Sequence, residues 1–474
     1  MPDSAGQHPT NGVSITAYNG AHTVAASPRL PNPGKDLSVS PVLTRRHRSM
    51  AIAAFGTIVE WYDFSIFFYV ATSLTTVYFG GDSTNLLFTL GIAAVGFLFR
   101  PIGAMVFGHL GDRIGRRNSL VISTSLMALA MIGIAAVPGA DTIGAWGGVA
   151  VILLRCLAGF SVGAEYTGIM VYLMESATAR NRGFAASLAV VSSEVGSLLA
   201  VGLGAGMSRS LSPEQMDAWG WRVLFLVGGL MALSMIPLRG QMEETHTFER
   251  SRNIQRRTGR SPLVAVLTEH PRSVLLAFLI SATGSVTYFL NITHVPTYLE
   301  ITMGLDSAVS LWLGTVAALA AIIATPLVGL AADRVGRRRL FVLILAVVVL
   351  GTVPAYQVLA AHGSTVALIG VTALAVPAAA WSAVAASAVP EQFTAVGRFS
   401  GMAIGYNAAT AVFGGGAPLI ATWLQNVSGS PLAPALFATV VAVCAGGAAV
   451  VLMRDMTGRP LVELDEETSA TASE

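Results

Sequence analysis

Apolar residues in this chain come in long blocks parted by short polar stretches. A helix that crosses a bilayer needs about 20 mostly apolar residues. About twelve blocks reach that length, near residues 50–72, 86–108, 119–137, 146–172, 184–207, 221–238, 273–294, 309–331, 340–359, 365–388, 399–423 and 432–453. We number them helices 1 to 12. Barrel strands would be shorter and would alternate, so the pattern predicts an all-α membrane protein. The glycines and prolines inside the blocks are ordinary for membrane helices.

The polar stretches differ in charge. Arg45, Arg46 and Arg48 precede helix 1, Arg113, Arg116 and Arg117 join helices 2 and 3, and Arg180 and Arg182 join helices 4 and 5. Arg334, Arg337, Arg338 and Arg339 join helices 8 and 9, and the stretch between helices 6 and 7 is also rich in arginine. The alternate loops hold Asp82, Asp141, Glu300 and Asp306, with Arg209 and Arg222 as their basic residues. Basic loops stay in the cytoplasm, which predicts an even helix count with both termini cytoplasmic.

Two pieces of sequence recur. GHLGDRIGRR at 108–117 matches GLAADRVGRR at 329–338. Glu175, Thr178 and Arg182 share their spacing with Glu391, Thr394 and Arg398. Such repeats mark transporter halves. The expected organisation is a disordered cytoplasmic tail (1–44), a six-helix bundle (45–238), a cytoplasmic linker (239–271), a second six-helix bundle (272–453) and a short acidic tail (454–474). The linker reads as solvated and partly helical, with binding of anionic lipid headgroups as the alternative.

Composition narrows the function. The 474 residues are 53% hydrophobic and 11% charged, against about 25% charged in a soluble domain. Lys35 is the only lysine, in the polar stretch NPGKD. A phosphate-binding P-loop and a Schiff-base lysine are therefore excluded. Cys156 and Cys444 lie in separate apolar blocks and read as small buried residues. No nucleophile–base pair or metal-ligand spacing appears, so neither an enzyme nor a metal or other cofactor is expected. The net charge of +2 gives no reason to expect a nucleic-acid partner.

The repeated Gly-x-x-x-Asp-Arg-x-Gly-Arg-Arg resembles the signature of the major facilitator superfamily. VEWYDF at 59–64, FRPIGAMVFGHLGDRIGRR at 99–117, GFSVGAEYTG at 159–168, GWR at 220–222 and GYNAATAVFGGGAPLIATWL at 405–424 resemble its metabolite:proton symporter family, most of all the proline/betaine branch. The likeness spans roughly residues 45–460. It implies twelve helices in two pseudo-symmetric bundles, alternating access and proton-driven uptake of a small polar metabolite. It also implies a gating role for Gly108, Asp112, Arg116 and Glu175 in the first half, and for Asp333, Arg337 and Glu391 in the second. Gly111 and Gly115 fit the same tight loop. Osmosensing members of that branch can carry a long C-terminal coiled coil. The acidic VELDEETSATASE after helix 12 has no heptads, which puts that device in doubt.

Intramembrane charge points to the site. Helix 1 holds Glu60 and Asp63, helix 2 Arg100, helix 4 Arg155 and Glu165, and helix 5 Glu194. Helices 7 to 12 carry essentially none away from their ends. A low dielectric favours a neutral acid and a nearby arginine favours the carboxylate. An acid balanced between them can serve a proton-coupled cycle, which places proton handling in the first half. Glu60 and Asp63 share a helical face. If both face the centre they repel, and one tends to hold a proton. Arg100 and Arg155 are positioned to pair with them or with a substrate carboxylate. The alternative is a permanent ion-pair network locking helices 1, 2 and 4.

Other readings are open. Glu194 reads either as a proton site or as an acid bonded to Ser192 and Ser193. Glu165 and Tyr166 belong to the site or its gate. Tyr406 and Asn407 would face substrate from helix 11. Trp61, Tyr62 and Phe64 would form a cation–π wall or simply pack. His294 ends helix 7 and reads as structural. The expected function is proton symport of a zwitterion such as proline or betaine by a monomer in the cytoplasmic membrane. A carboxylate such as α-ketoglutarate or citrate is second. Drug efflux ranks lower, because helix 5 lacks the Gly-Pro of antiporters, and a membrane sensor lower still.

Overall fold

The computed structural model describes residues 41–80, 83–114, 116–163, 165–175, 177–240, 262–360, 364–394 and 398–459. The described side chains leave out Gly108, Asp112 and Arg116, so these gating candidates lie outside the described residues, as do Gly111 and Gly115. Most of the expected N-terminal tail, linker and acidic tail lies outside them too. The described residues from His47 onward form one compact unit.

Among the described residues the regular elements are helical. Helix 1 runs Pro41–Tyr69, helix 2 Ser83–Leu98 and Arg100–Ile114, helix 3 Arg116–Ala136, helix 4 Trp146–Ser161 and Glu165–Glu175, helix 5 Arg182–Ser210 and helix 6 Trp221–Arg239. Helix 7 is Pro271–Tyr288, continued by a π-helical turn Phe289–Thr293 and by Val295–Ile301. Helix 8 is Ser307–Val335, helix 9 Arg337–Ala360 and helix 10 Ser364–Ala388. Helix 11 is Arg398–Phe413 and Gly416–Ser428, and helix 12 runs from Ala433 through a π-helical turn to Leu452.

Eleven helices among the described residues are long and apolar enough to cross a membrane, where the sequence predicts about twelve. The difference is the eleventh apolar block. Its chain turns at Gly414 and Gly415, which leaves two pieces, each too short alone. The turn has a packing use. A methyl on Gly415 would lie 2.5 Å from the Phe97 ring of helix 2, so glycine lets helix 11 press on the other half.

Burial orders the helices. Within the apolar window of helix 1, 72% is buried, and 67% in helix 7, against 28% in helix 12. Helices 1 and 7 hold matching places in the two halves, and both lie centrally. Helices 2 and 4 cross backbone to backbone, because side chains on Gly103, Gly159 and Gly163 would collide with Phe160, Gly96 and Ala104. That crossing brings Arg100 and Arg155 up to helix 1. Gly336, at φ 101°, makes the sharp joint between helices 8 and 9 that the glycine of the DRVGRR stretch is there to allow.

Candidate transport site

Glu60 and Asp63 are fully buried. Each faces its own arginine. Arg100 Nη2 lies 2.7 Å from Glu60 Oε1. Arg155 Nη1 lies 3.0 Å from Asp63 Oδ2, and it also donates to the Asp63 carbonyl at 3.4 Å. The two guanidiniums sit 4.5 and 5.1 Å from the centre of the Phe64 ring, so Phe64 separates the two pairs. The lock among helices 1, 2 and 4 therefore exists in this structure. Glu60 Oε2, Asp63 Oδ1 and two nitrogens of each arginine have no hydrogen-bond partner.

Glu165 opens the second piece of helix 4 and pairs with Arg239 at the end of helix 6. The sequence reading put Arg239 in the linker; its side chain is 2% exposed. Glu194 is not held by its neighbouring serines. Ser192 donates to the Leu188 carbonyl and Ser193 to that of Val190. Thr325 of helix 8 donates to Glu194 Oε1 at 2.7 Å instead, from the other half. Asn407 also crosses the halves, donating to the Gly163 carbonyl, at the interruption of helix 4, at 2.8 Å. His294 is buried, with Nε2 3.5 Å from the Thr422 hydroxyl.

A cavity lies between the halves. The space open to the centre of a water molecule is about 50 Å³, and Trp61, Tyr166, Tyr288, Phe289 and Tyr406 supply the aromatic part of its wall. Ser193, Ser281, Ser285 and Ser382 supply hydroxyls, and no charged side chain lines it. Trp61 is the hub, with ring centroids 5.4 Å from Tyr166, 5.4 Å from Tyr288 and 6.2 Å from Phe289. Its indole N–H is buried without a partner. Tyr406 meets Tyr166 at 5.4 Å.

The wall differs from the one expected on helix 1. Tyr62 points away and donates to the Leu224 carbonyl at 2.7 Å, while Phe64 lies between the arginines. Helix 7 supplies Tyr288 and Phe289, which the sequence reading missed. A signal existed: helix 7 is the repeat mate of helix 1, and its T-Y-F-L-N occupies the corresponding central stretch.

The end that carries the 2–3, 4–5 and 8–9 connections is arginine-rich, and there the charges cross between halves. Asp333 accepts from the backbone N–H of Gly183 at 2.8 Å and of Phe184 at 2.9 Å, at the start of helix 5. Its other partner is Arg337, at 2.9 Å. The Glu–Arg repeat is exchanged. Arg398 of the second half bonds Glu175 of the first at 2.7 Å. Arg182 of the first half lies 3.4 Å from Glu391 of the second, which Arg337 also meets at 3.2 Å.

Comparison with known proteins places this architecture. The sugar (and other) transporter family model matches residues 49–261 and 239–467. The ectoine/proline transporter of Corynebacterium glutamicum is 32% identical over 427 residues, covering 86% of this chain and 84% of that protein. The citrate-proton symporter of Klebsiella pneumoniae is 31% identical over 392 residues, covering 82% and 88%. Among solved structures, the proton:xylose symporter bound to 6-bromo-6-deoxy-D-glucose superposes with a TM-score of 0.72 at 19% identity, over 90% of this chain and 99% of that one. This chain therefore belongs to the sugar (and other) transporter family of the major facilitator superfamily, and it is a multi-pass membrane transporter, not an enzyme.

Proposed function

We propose that the protein is a proton-coupled symporter of a small zwitterion such as proline or a betaine. It works in the cytoplasmic membrane by alternating access, with its arginine-rich end and both termini in the cytoplasm. One observation carries the choice of substrate: the cavity between the halves has an aromatic and hydroxyl wall without a charged side chain. A di- or tricarboxylate moved into such a wall would lose its hydration with no cation to replace it. A zwitterion has no net charge to compensate. Its ammonium can rest on the ring faces, a contact worth about 0.5–2 kcal/mol. Its carboxylate can accept from the unpartnered Trp61 N–H.

The carboxylate reading stands second. The unbonded N–H groups of Arg100 and Arg155 favour it, and so does the relative named a citrate-proton symporter. Uptake of labelled proline, betaine and citrate into proteoliposomes, with and without an inward proton gradient, decides between them. Proline or betaine should accumulate only with the gradient, and Trp61→Ala should weaken their apparent affinity roughly tenfold. Citrate accumulation without proline or betaine uptake overturns the zwitterion. Gradient-independent uptake, or export of drugs, overturns symport.

A further inference from the structure

Glu194 stands apart from the other intramembrane acids of the first half. Glu60, Asp63 and Glu165 each have an arginine. Glu194 is 1% exposed, and among the described residues no cation bonds it. One oxygen accepts from Thr325 and the other has no partner. Among the described residues, the titratable groups within electrostatic reach of it are the phenols of Tyr166 on helix 4 and Tyr288 on helix 7. A lone buried carboxylate costs several kcal/mol that a carboxylic acid does not. This environment suits the acid form, with its proton on the free oxygen.

The position also links Glu194 to movement and to substrate. Helices 5 and 8 belong to different halves and touch along a seam. A methyl on Gly183 would lie 2.7 Å from the Gly329 carbonyl oxygen, so the backbones meet there. Asp333 ties the same end of helix 8 to the start of helix 5. Thr325 lies further in, next to Pro326, whose missing N–H weakens the turn around it. Glu194 also follows Ser193 in the chain and lies within electrostatic reach of Tyr166 and Tyr288, and all three of these residues line the cavity.

We infer that Glu194 carries the coupled proton, held while helix 5 rests on helix 8 and released when the arginine-rich end opens. Parting the seam withdraws the Thr325 hydroxyl and admits water. The O–H bond of the Glu194 acid breaks, the proton passes to water, and the carboxylate that remains is solvated. The pairs of Glu60 and Asp63 lie inside one half, so rocking the halves leaves them unaltered. The inference rests on the symport reading and names the group that performs it.

The test uses the purified full chain in liposomes, with labelled proline or whichever of proline, betaine and citrate the wild type takes up. Three quantities are read: gradient-driven accumulation, exchange of external for internal label, and the external pH rise during downhill uptake. Glu194→Gln should lower accumulation at least tenfold and abolish the pH rise while exchange stays measurable. Glu194→Asp should restore both, with the pH midpoint of accumulation displaced, and Thr325→Val should displace that midpoint in the glutamate protein. A Glu194→Gln transporter that still accumulates substrate with a pH rise overturns the inference. If that variant loses exchange as well, Glu194→Asp decides: a displaced midpoint supports the assignment, and a wild-type midpoint refutes it. A wild type that shows no gradient-driven accumulation fails at the symport reading itself, before any variant is compared.

Discussion

The two charged regions are wired differently. At mid-membrane, Glu60–Arg100 and Asp63–Arg155 join helices of one half. At the arginine-rich end, Glu175–Arg398, Arg182–Glu391 and the Asp333 contacts join helices of opposite halves. When two rigid bundles rock, bonds of the first kind travel with their bundle and bonds of the second kind must break. The first kind therefore shapes the half that holds it, and the second sets the balance between closed and open.

The largest effect should come from breaking a pair inside the half. Arg155→Ala leaves Asp63 buried without its cation, which costs about 3–5 kcal/mol. Thermal unfolding in detergent should show a large loss, and replacing both residues by neutral ones should recover most of it. A single variant that melts like the wild type breaks the comparison. A smaller effect should follow at the arginine-rich end. Arg398→Glu removes the charged hydrogen bond to Glu175, worth about 1.5 kcal/mol or more, along with bonds to the Pro390 and Phe393 carbonyls of its own half, and should raise the open population roughly tenfold. The readout is labelling of Ser187→Cys on the helix 5–helix 8 seam, with Cys156 and Cys444 replaced. Adding Glu175→Arg should return the labelling rate toward the wild type. An exchanged pair that stays fast would mean that the contact does not hold this end shut.

A pH-dependent effect belongs to the opposite end, where Glu300 follows the membrane portion of helix 7. The hydroxyls of Thr72, which follows helix 1 in the other half, and of Ser307, at the start of helix 8, act on its carboxyl. Burial pushes its carboxyl up to about 7 from the ordinary 4.5, against the lowering influence of those two hydroxyls. A raised acid contributes stability that is full below its unfolded value and is lost as pH rises through about 7. The melting temperature should therefore fall between pH 4.5 and 7, and Glu300→Gln should flatten that part of the curve. An unchanged slope would remove Glu300 as a pH-dependent tie at this end.

Hydropathy made the apolar blocks legible because burial in lipid acts on every residue of a span. The repeats made the two halves legible because the same loop chemistry recurs at both. Partners were harder to read. Helical spacing placed Glu60 and Asp63 on one face, but spacing within one helix says nothing of which arginine arrives from the next. Thr325 lies 131 residues from Glu194, and no local pattern marks a hydroxyl that meets an acid across the halves. Arg239 looked like linker because an arginine at a helix end usually snorkels to water. The turn in helix 11 was hidden because glycine hardly interrupts an apolar average. The ring cluster was half visible: Trp61, Tyr166 and Tyr406 stand beside polar neighbours, while Tyr288 and Phe289 stand out only through the match of helix 7 to helix 1.

The exchanged Glu–Arg repeat has a consequence for descent. A contact in which one surface meets its own copy reciprocally is that of a two-fold dimer. Two identical six-helix chains, each carrying one such glutamate and arginine, would have made the same pair of bonds across their shared axis. Fusing them end to end would preserve both bonds without a new residue, so the latch needs no origin later than the duplication.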